Sequence, residues 1–167
     1  MNATMLVDSQ AVLTPHTVRA IREGVENPFT RLGEYLNRGQ RDIVIAESSI
    51  RMFEGILERS NVRAYDIGVL SEQYLQALHK VKGQSYMLDS KAELTYAEVL
   101  VDLLPENAFG RYKGHVTPHG VSILSAAVFA HDISASKVSI VSRDAGVGNG
   151  VKFLNGAGFN FSITTAR

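Results

Sequence analysis

Short apolar runs alternate along this chain with longer stretches in which apolar residues recur every three or four positions. The runs at 5–7, 43–46 and 138–141 predict buried strands, and the alternating Phe159, Phe161 and Ile163 predict a closing strand. The longer stretches predict helices, because capping residues and helix breakers stand at their ends. They lie at about 15–24, 28–39, 49–57, 71–83, 90–104, 121–130 and 151–154.

The order of these elements sets the expected fold. Strands separated by helices predict a parallel sheet with helices on both faces. We therefore expect a single α/β domain over 1–167, a three-layer α/β/α arrangement with a central, mostly parallel sheet. The helices at 71–83 and 90–104 are expected to form an insert packed on one edge of that sheet.

Two aspartates stand where predicted strands end. Asp8 follows Leu6-Val7, and Asp144 follows the run that ends in Ser142-Arg143. In open parallel sheets ligands bind beyond the carboxyl ends of the strands, so the position of both carboxylates predicts a site. The alternative is a turn role, in which an aspartate accepts hydrogen bonds from nearby backbone N–H groups.

Three glycines, Gly146, Gly148 and Gly150, follow Asp144 in a pattern similar to a dinucleotide-binding loop. The third glycine comes too early for the G-x-G-x-x-G spacing, so a small-nucleotide site is only a third-ranked hypothesis. We expect these glycines to permit close strand-to-helix packing and positive φ angles.

The amino-acid composition limits the functional classes to which the protein can belong. Lys plus Arg number 17 and Asp plus Glu number 17, so nucleic-acid binding would need a local basic patch rather than a global field. The absence of cysteine excludes disulfides, thiolate nucleophiles and cysteine zinc sites. No signal-like start and no long uncharged apolar run is present, which predicts a cytoplasmic protein with no membrane association.

A loop at 106–119 mixes basic, aromatic and imidazole groups. Arg111, Lys113 and His115 lie within five positions of one another, and His119 closes the segment. Such a loop can hold a phosphate backbone, and a solvated connection is the alternative.

Three segments together resemble the PIN-domain nuclease family: Leu6-Val7-Asp8, Ile123-Leu124-Ser125-Ala126-Ala127 and Ile140-Val141-Ser142-Arg143-Asp144. The resemblance implies a PIN-like α/β/α fold whose strand-end acids hold Mg²⁺ or Mn²⁺ for cleavage of RNA phosphodiester bonds. Asp8 matches the first acid of the family. Asp144 matches the acid that follows the hydroxyl residue, here Ser142.

Two family acids lack a direct counterpart. The second belongs on the helix after the second strand, where Glu54 is the nearest candidate if the helix register shifts, and Glu47 is another. The third belongs just before Ile123-Leu124, where this chain has His119 and Gly120. Metal-dependent displacement needs several oxygen ligands, so we expect Asp8, Asp144 and Glu54 as ligands. His119 or His115 is then a general acid or a phosphate-binding cation.

The first hypothesis is a metal-dependent PIN-like endoribonuclease, whose acidic site is complete only if a third carboxylate reaches it. Asp8, Asp144, Glu54 and His119 are its catalytic candidates. The alternative is a catalytically inactive PIN-like protein that binds RNA or a protein partner. Single-stranded RNA is the expected nucleic acid, and a second copy of the chain or another protein is a further candidate partner. The residues expected to contact RNA are Ser142, Arg143, Arg111, Lys113 and His115.

Overall fold

Five parallel strands form one sheet at the centre of the computed structural model, which describes residues 3–134 and 137–164. The strands lie in the order β3-β2-β1-β4-β5, and every neighbouring pair is parallel. Their bounds are β1 Ala3–Val7, β2 Arg41–Ala46, β3 Ser85–Leu88, β4 Val138–Val141 and β5 Phe161–Thr164. The predicted parallel α/β/α fold is confirmed.

Helices cover both faces of the sheet. Their bounds are α1 Ser9–Val12, α2 Pro15–Arg22, α3 Thr30–Leu36, α4 Glu47–Arg59, α5 Ala64–Leu78, α6 Ser90–Leu103, α7 Pro118–Ser134 and α8 Ala145–Gly156, with a 3₁₀ turn at Glu106–Ala108. None of the helices within the described ranges is long and apolar enough to cross a bilayer.

The two faces of β1 belong to two separate cores, because successive side chains of a strand point to opposite faces. Leu6 packs among buried residues of α6, α7 and α8. Met5 and Val7 pack on the other face, among buried residues of helices α3 to α5 that include Phe53 and Tyr74. Burial on both faces explains why the central strands read as continuous apolar runs.

The region between β2 and α7 differs from the prediction. It contributes an unpredicted strand, β3, at the sheet edge. This strand carries the short apolar run Tyr86-Met87-Leu88, of which only Leu88 is buried. Helix α5 begins at Ala64, seven residues before the predicted start at Ser71. Ser71 does not cap this helix, because its hydroxyl donates to Glu54 Oε1 (3.1 Å) from the helix interior.

The glycines after Asp144 lie inside α8 rather than in a turn. The expected positive φ angles are wrong for these three, since Gly24, Gly114 and Gly158 are the described glycines with positive φ. The glycines do permit close approach, but to the loop before α7 and to α7 rather than to a strand: a Cβ on Gly146 would overlap the carbonyl oxygen of His115, and one on Gly150 would overlap the Leu124 side chain.

Candidate functional site

The site forms where β1 and β4 end side by side. Val7 pairs with Val141, which brings the next residues of both strands, Asp8 and Ser142, together beyond the sheet edge. The Asp8 N–H continues the pairing by donating to the Val141 carbonyl at 2.9 Å. The strand order departs in opposite directions from this pair, so the site lies at the switch point of the sheet.

Asp8 is almost fully buried, with 1% of its surface exposed. Both of its carboxylate oxygens are engaged. Oδ1 accepts from the Gln10 backbone N–H at 3.0 Å and from His119 Nε2 at 2.8 Å. Oδ2 accepts from the Ser142 hydroxyl at 2.8 Å. The carboxylate is therefore surrounded by donors from three separate parts of the chain, as a buried charge requires.

His119 opens the first turn of α7, and 11% of its side chain is exposed. Burial lowers the pKa of His119, but the hydrogen bond to Asp8 and the charges of Asp8 and Asp144 outweigh it, so the pKa lies above its usual value. The two side chains form a short hydrogen bond of 2.8 Å, which is charge-assisted when His119 is protonated. His119 occupies the place where the resemblance expects an acid.

Asp144 caps α8. Its Oδ1 accepts from the N–H groups of Gly146 (2.7 Å) and Val147 (3.1 Å), which stabilises the start of the helix. The Asp144 N–H donates to the Ser142 hydroxyl oxygen at 3.2 Å. Ser142 therefore links the two aspartates, because the same hydroxyl donates to Asp8. Both aspartates therefore have the turn role, since each accepts from a backbone N–H two positions further on, and they also follow neighbouring strands.

The two glutamate candidates lie elsewhere. Glu54 accepts from Ser71 on α5, and Glu47 accepts from the N–H (3.0 Å) and the hydroxyl (3.2 Å) of Ser90 at the start of α6. Helix α4 begins at Glu47 and buries Ser49 and Phe53, so the register shift that Glu54 needed does not occur. Neither glutamate has a described contact with Asp8 or Asp144.

A buried hydroxyl cluster next to Asp8 was not predicted. The Ser9 hydroxyl donates to the Ser49 carbonyl at 2.7 Å, and it lies 2.7 Å from the Ser49 hydroxyl and 3.4 Å from that of Tyr74. Burial raises the pKa of Tyr74 to about 12, with the nearby Asp8 charge adding to the rise. The only sequence signal was the serine after Asp8, since Ser49 reads simply as a helix cap.

These residues do not fit the expected Mg²⁺ or Mn²⁺ ion. Hard divalent cations need several free oxygen ligands, whereas both oxygens of Asp8 and one of Asp144 already accept hydrogen bonds. His119 also lies 2.8 Å from Asp8 Oδ1, so an ion bound to that oxygen would have to displace it. Within residues 3–134 and 137–164, no group of three or more His, Asp or Glu side chains could hold a metal.

A basic cleft of about 320 Å³ adjoins Asp144, and we call it the loop cleft. Its lining includes Arg111, Lys113 and His115 from the loop before α7, with Arg143 and Asp144 from the β4–α8 junction. Arg111, Lys113 and Arg143 are exposed. Three permanent cations against one carboxylate give the cleft a positive balance in a chain that is neutral overall. The predicted RNA-contacting residues therefore lie together, except for Ser142, which is buried beside Asp8.

The loop before α7 contacts α8 through one hydrogen bond and one close backbone approach. The Asn149 side-chain amide donates to the Gly114 carbonyl at 2.8 Å, and Gly146 leaves room for the His115 carbonyl. Since Asp144 already accepts from the first N–H groups of α8, anion binding in the cleft depends on side-chain cations rather than on the helix end.

Comparison with known proteins gives no match: no protein-family model, no curated protein and no solved structure is significantly similar to this chain. The function must therefore be argued from the geometry of the site.

Proposed function

We propose that this chain is a PIN-like protein that binds single-stranded RNA at the loop cleft and has replaced the metal of the family's acidic site with His119. The observation that carries the proposal is the engagement of Asp8. Its two oxygens bind His119 and Ser142 beside a cleft lined by exposed cations. The imidazole of His119 hydrogen-bonds the buried carboxylate from within the fold and neutralises its charge when protonated, so the fold needs no external ion at this position.

RNA suits the loop cleft because the cations of the cleft are separate side chains, which can contact successive phosphates of one strand. Arg143 and Arg111 present planar guanidinium groups that match phosphate oxygens, and Lys113 adds a point charge. Such contacts release counterions, so the affinity should fall steeply with salt. Tyr112, with 80% of its surface exposed at the same cleft, offers a ring on which an unpaired base can stack.

The test is fluorescence anisotropy with labelled single-stranded RNA over a range of salt concentrations. We expect the triple variant Arg111→Ala/Lys113→Ala/Arg143→Ala to weaken binding about tenfold, since each exposed contact contributes roughly 0.5 kcal/mol. Loss of three phosphate contacts should also reduce the slope of log K against log salt by about 2.

A matched control is Arg38→Ala/Arg59→Ala/Lys91→Ala, which removes the same charge from exposed positions outside the loop cleft. Equal losses in the two triple variants would mean that binding follows net charge alone. Such a result would refute the loop cleft as the RNA site.

Metal-dependent RNA hydrolysis is the second candidate, favoured by the convergence of Asp8 and Asp144 on one Ser142 hydroxyl. The same RNA incubated with Mn²⁺ distinguishes the two. Under our proposal the RNA remains intact with Mn²⁺ and with chelator. Cleavage that requires Mn²⁺ and disappears in Asp144→Asn would establish the nuclease instead, because the amide retains a capping oxygen and loses only the charge.

A further inference from the structure

A second cavity of about 660 Å³ lies between the N-terminal helices, and we call it the helix cavity. Its walls come from α1, α2 and α3 and from the turn that precedes α3. Arg143 lines the helix cavity and the loop cleft alike. An RNA strand that contacts Arg143 therefore has the loop cleft on one side of this contact and the helix cavity on the other.

The two cavities differ in chemistry. The loop cleft is dominated by cationic side chains, whereas the helix cavity combines the small apolar surfaces of Ala11 and Ala20 with the hydroxyls of Thr17 and Thr30. The exposed Arg31 gives it a second cation besides Arg143. Apolar walls with a few polar groups suit a flat heteroaromatic ring, and the volume is typical of a small-ligand site.

One wall of the helix cavity is aromatic. Tyr35 is one of the lining residues, and the Arg41 guanidinium lies 5.2 Å from the centre of its ring. A cation over an aromatic face holds the ring in place. Tyr35 is thus an anchored surface beside which a base can pack, while Arg31 and Arg143 supply charge for the attached phosphates.

We propose that the helix cavity is a nucleoside subsite, occupied by a nucleotide further along the strand than the dinucleotide unit that fills the loop cleft, so that a dinucleotide is too short to reach it. This inference rests on the proposed function, and it gives the bound RNA a path from the loop cleft across Arg143 to α2 and α3. Oligonucleotides long enough to reach both cavities should therefore bind more tightly than those that fill the loop cleft alone.

The first test compares a dinucleotide, UpU, with hexauridylate by competition anisotropy. Arg31→Ala should weaken the hexamer about twofold to threefold, as expected for one exposed charge contact, and leave the dinucleotide unchanged. Arg38→Ala is the matched control, since Arg38 is also exposed and just beyond the end of α3 but lines neither cavity. Equal effects of the two variants, or equal affinities of the two oligonucleotides for wild type, would overturn the subsite.

The second test reports on the cavity itself. The chain contains no tryptophan, so Tyr35→Trp introduces a single indole into the wall of the helix cavity. Hexauridylate should change the emission of this indole, and UpU should not. Binding seen by anisotropy without a change in emission would overturn the subsite while leaving the proposed function intact. Failure of both oligonucleotides to bind wild type would overturn the two proposals together.

Discussion

The pair formed by Asp8 and His119 should be a large local contribution to stability. Two unit charges about 4 Å apart attract by roughly 4 kcal/mol at an effective dielectric constant near 20. Burial of Asp8, which is 1% exposed, subtracts a desolvation cost from that attraction. We expect a net coupling free energy of about 2 to 3 kcal/mol, within the range measured for close charge pairs.

A double-mutant cycle measures this coupling. The single variants Asp8→Asn and His119→Gln and the double variant would be unfolded in urea at pH 6 and followed by far-UV circular dichroism, because the chain has no tryptophan. His119→Gln keeps a hydrogen-bond donor and removes the charge. His119→Ala removes both, so the difference between these two variants separates the hydrogen bond from the ion pair.

The contribution of His119 also has a defined pH dependence. Its pKa in the folded protein is raised above the ordinary value of 6.5. The stabilisation is therefore fully present below about pH 6.5 and is lost as pH rises through the folded pKa. The stability difference between wild type and His119→Gln should shrink between pH 6 and pH 9. A coupling below about 0.5 kcal/mol, or a difference that stays constant over this range, would refute the ion pair.

Three further outcomes are expected. His119→Asp should create a three-acid site, so Mn²⁺ at 100 times its Kd should stabilise the variant by about 2.7 kcal/mol and raise its melting temperature. The melting temperature of wild type should not respond to Mn²⁺. Gly146→Ala should lower stability by about 1 to 3 kcal/mol in urea titrations and weaken RNA binding, because the new Cβ displaces the loop. Gly156→Ala in the same helix is its control and should lose no stability, since its Cβ meets open space. Ser142→Ala should cost about 1 to 3 kcal/mol by the same assay, because it leaves a buried carboxylate oxygen without its donor.

The local pattern of apolar residues was sufficient to predict the strands that are buried on both faces, but it did not predict the strand at the sheet edge. β1, β2 and β4 are apolar runs because helices cover both of their faces. The parallel pairing of β1 with β4 in the structure then places Asp8 and Asp144 beyond the ends of adjacent strands. β3 has the short apolar run Tyr86-Met87-Leu88 but only one buried residue, so its sequence marks the strand only weakly. Its position is fixed by pairing with β2, which is a tertiary interaction.

The candidate site was predictable in position but not in its chemistry. Topology places Asp8 beside the end of β4, and the resemblance marks His119 as the substitute for an acid. The hydrogen bond between Asp8 and His119 joins residues 111 positions apart, and no local rule specifies which side chain a buried carboxylate will bind. Glu54 was the uncertain ligand because a helix rotates about 100° per residue, so a small error in register turns a side chain away from the site.

The separation between Asp8 and Ser142, 134 positions along the chain, has a consequence for how the protein folds. β1 is the central strand of the sheet, yet one of its two neighbours, β4, is synthesised after most of the chain. Until then β1 has an unpaired edge, a template for pairing with other chains, and Asp8 lacks the Ser142 hydroxyl. Contacts of such long sequence separation are slow to form because loop closure precedes them. A nascent chain that ends after α7 would therefore depend on chaperones more than the finished protein does, and the arrival of β4 would close the sheet and the site in the same step.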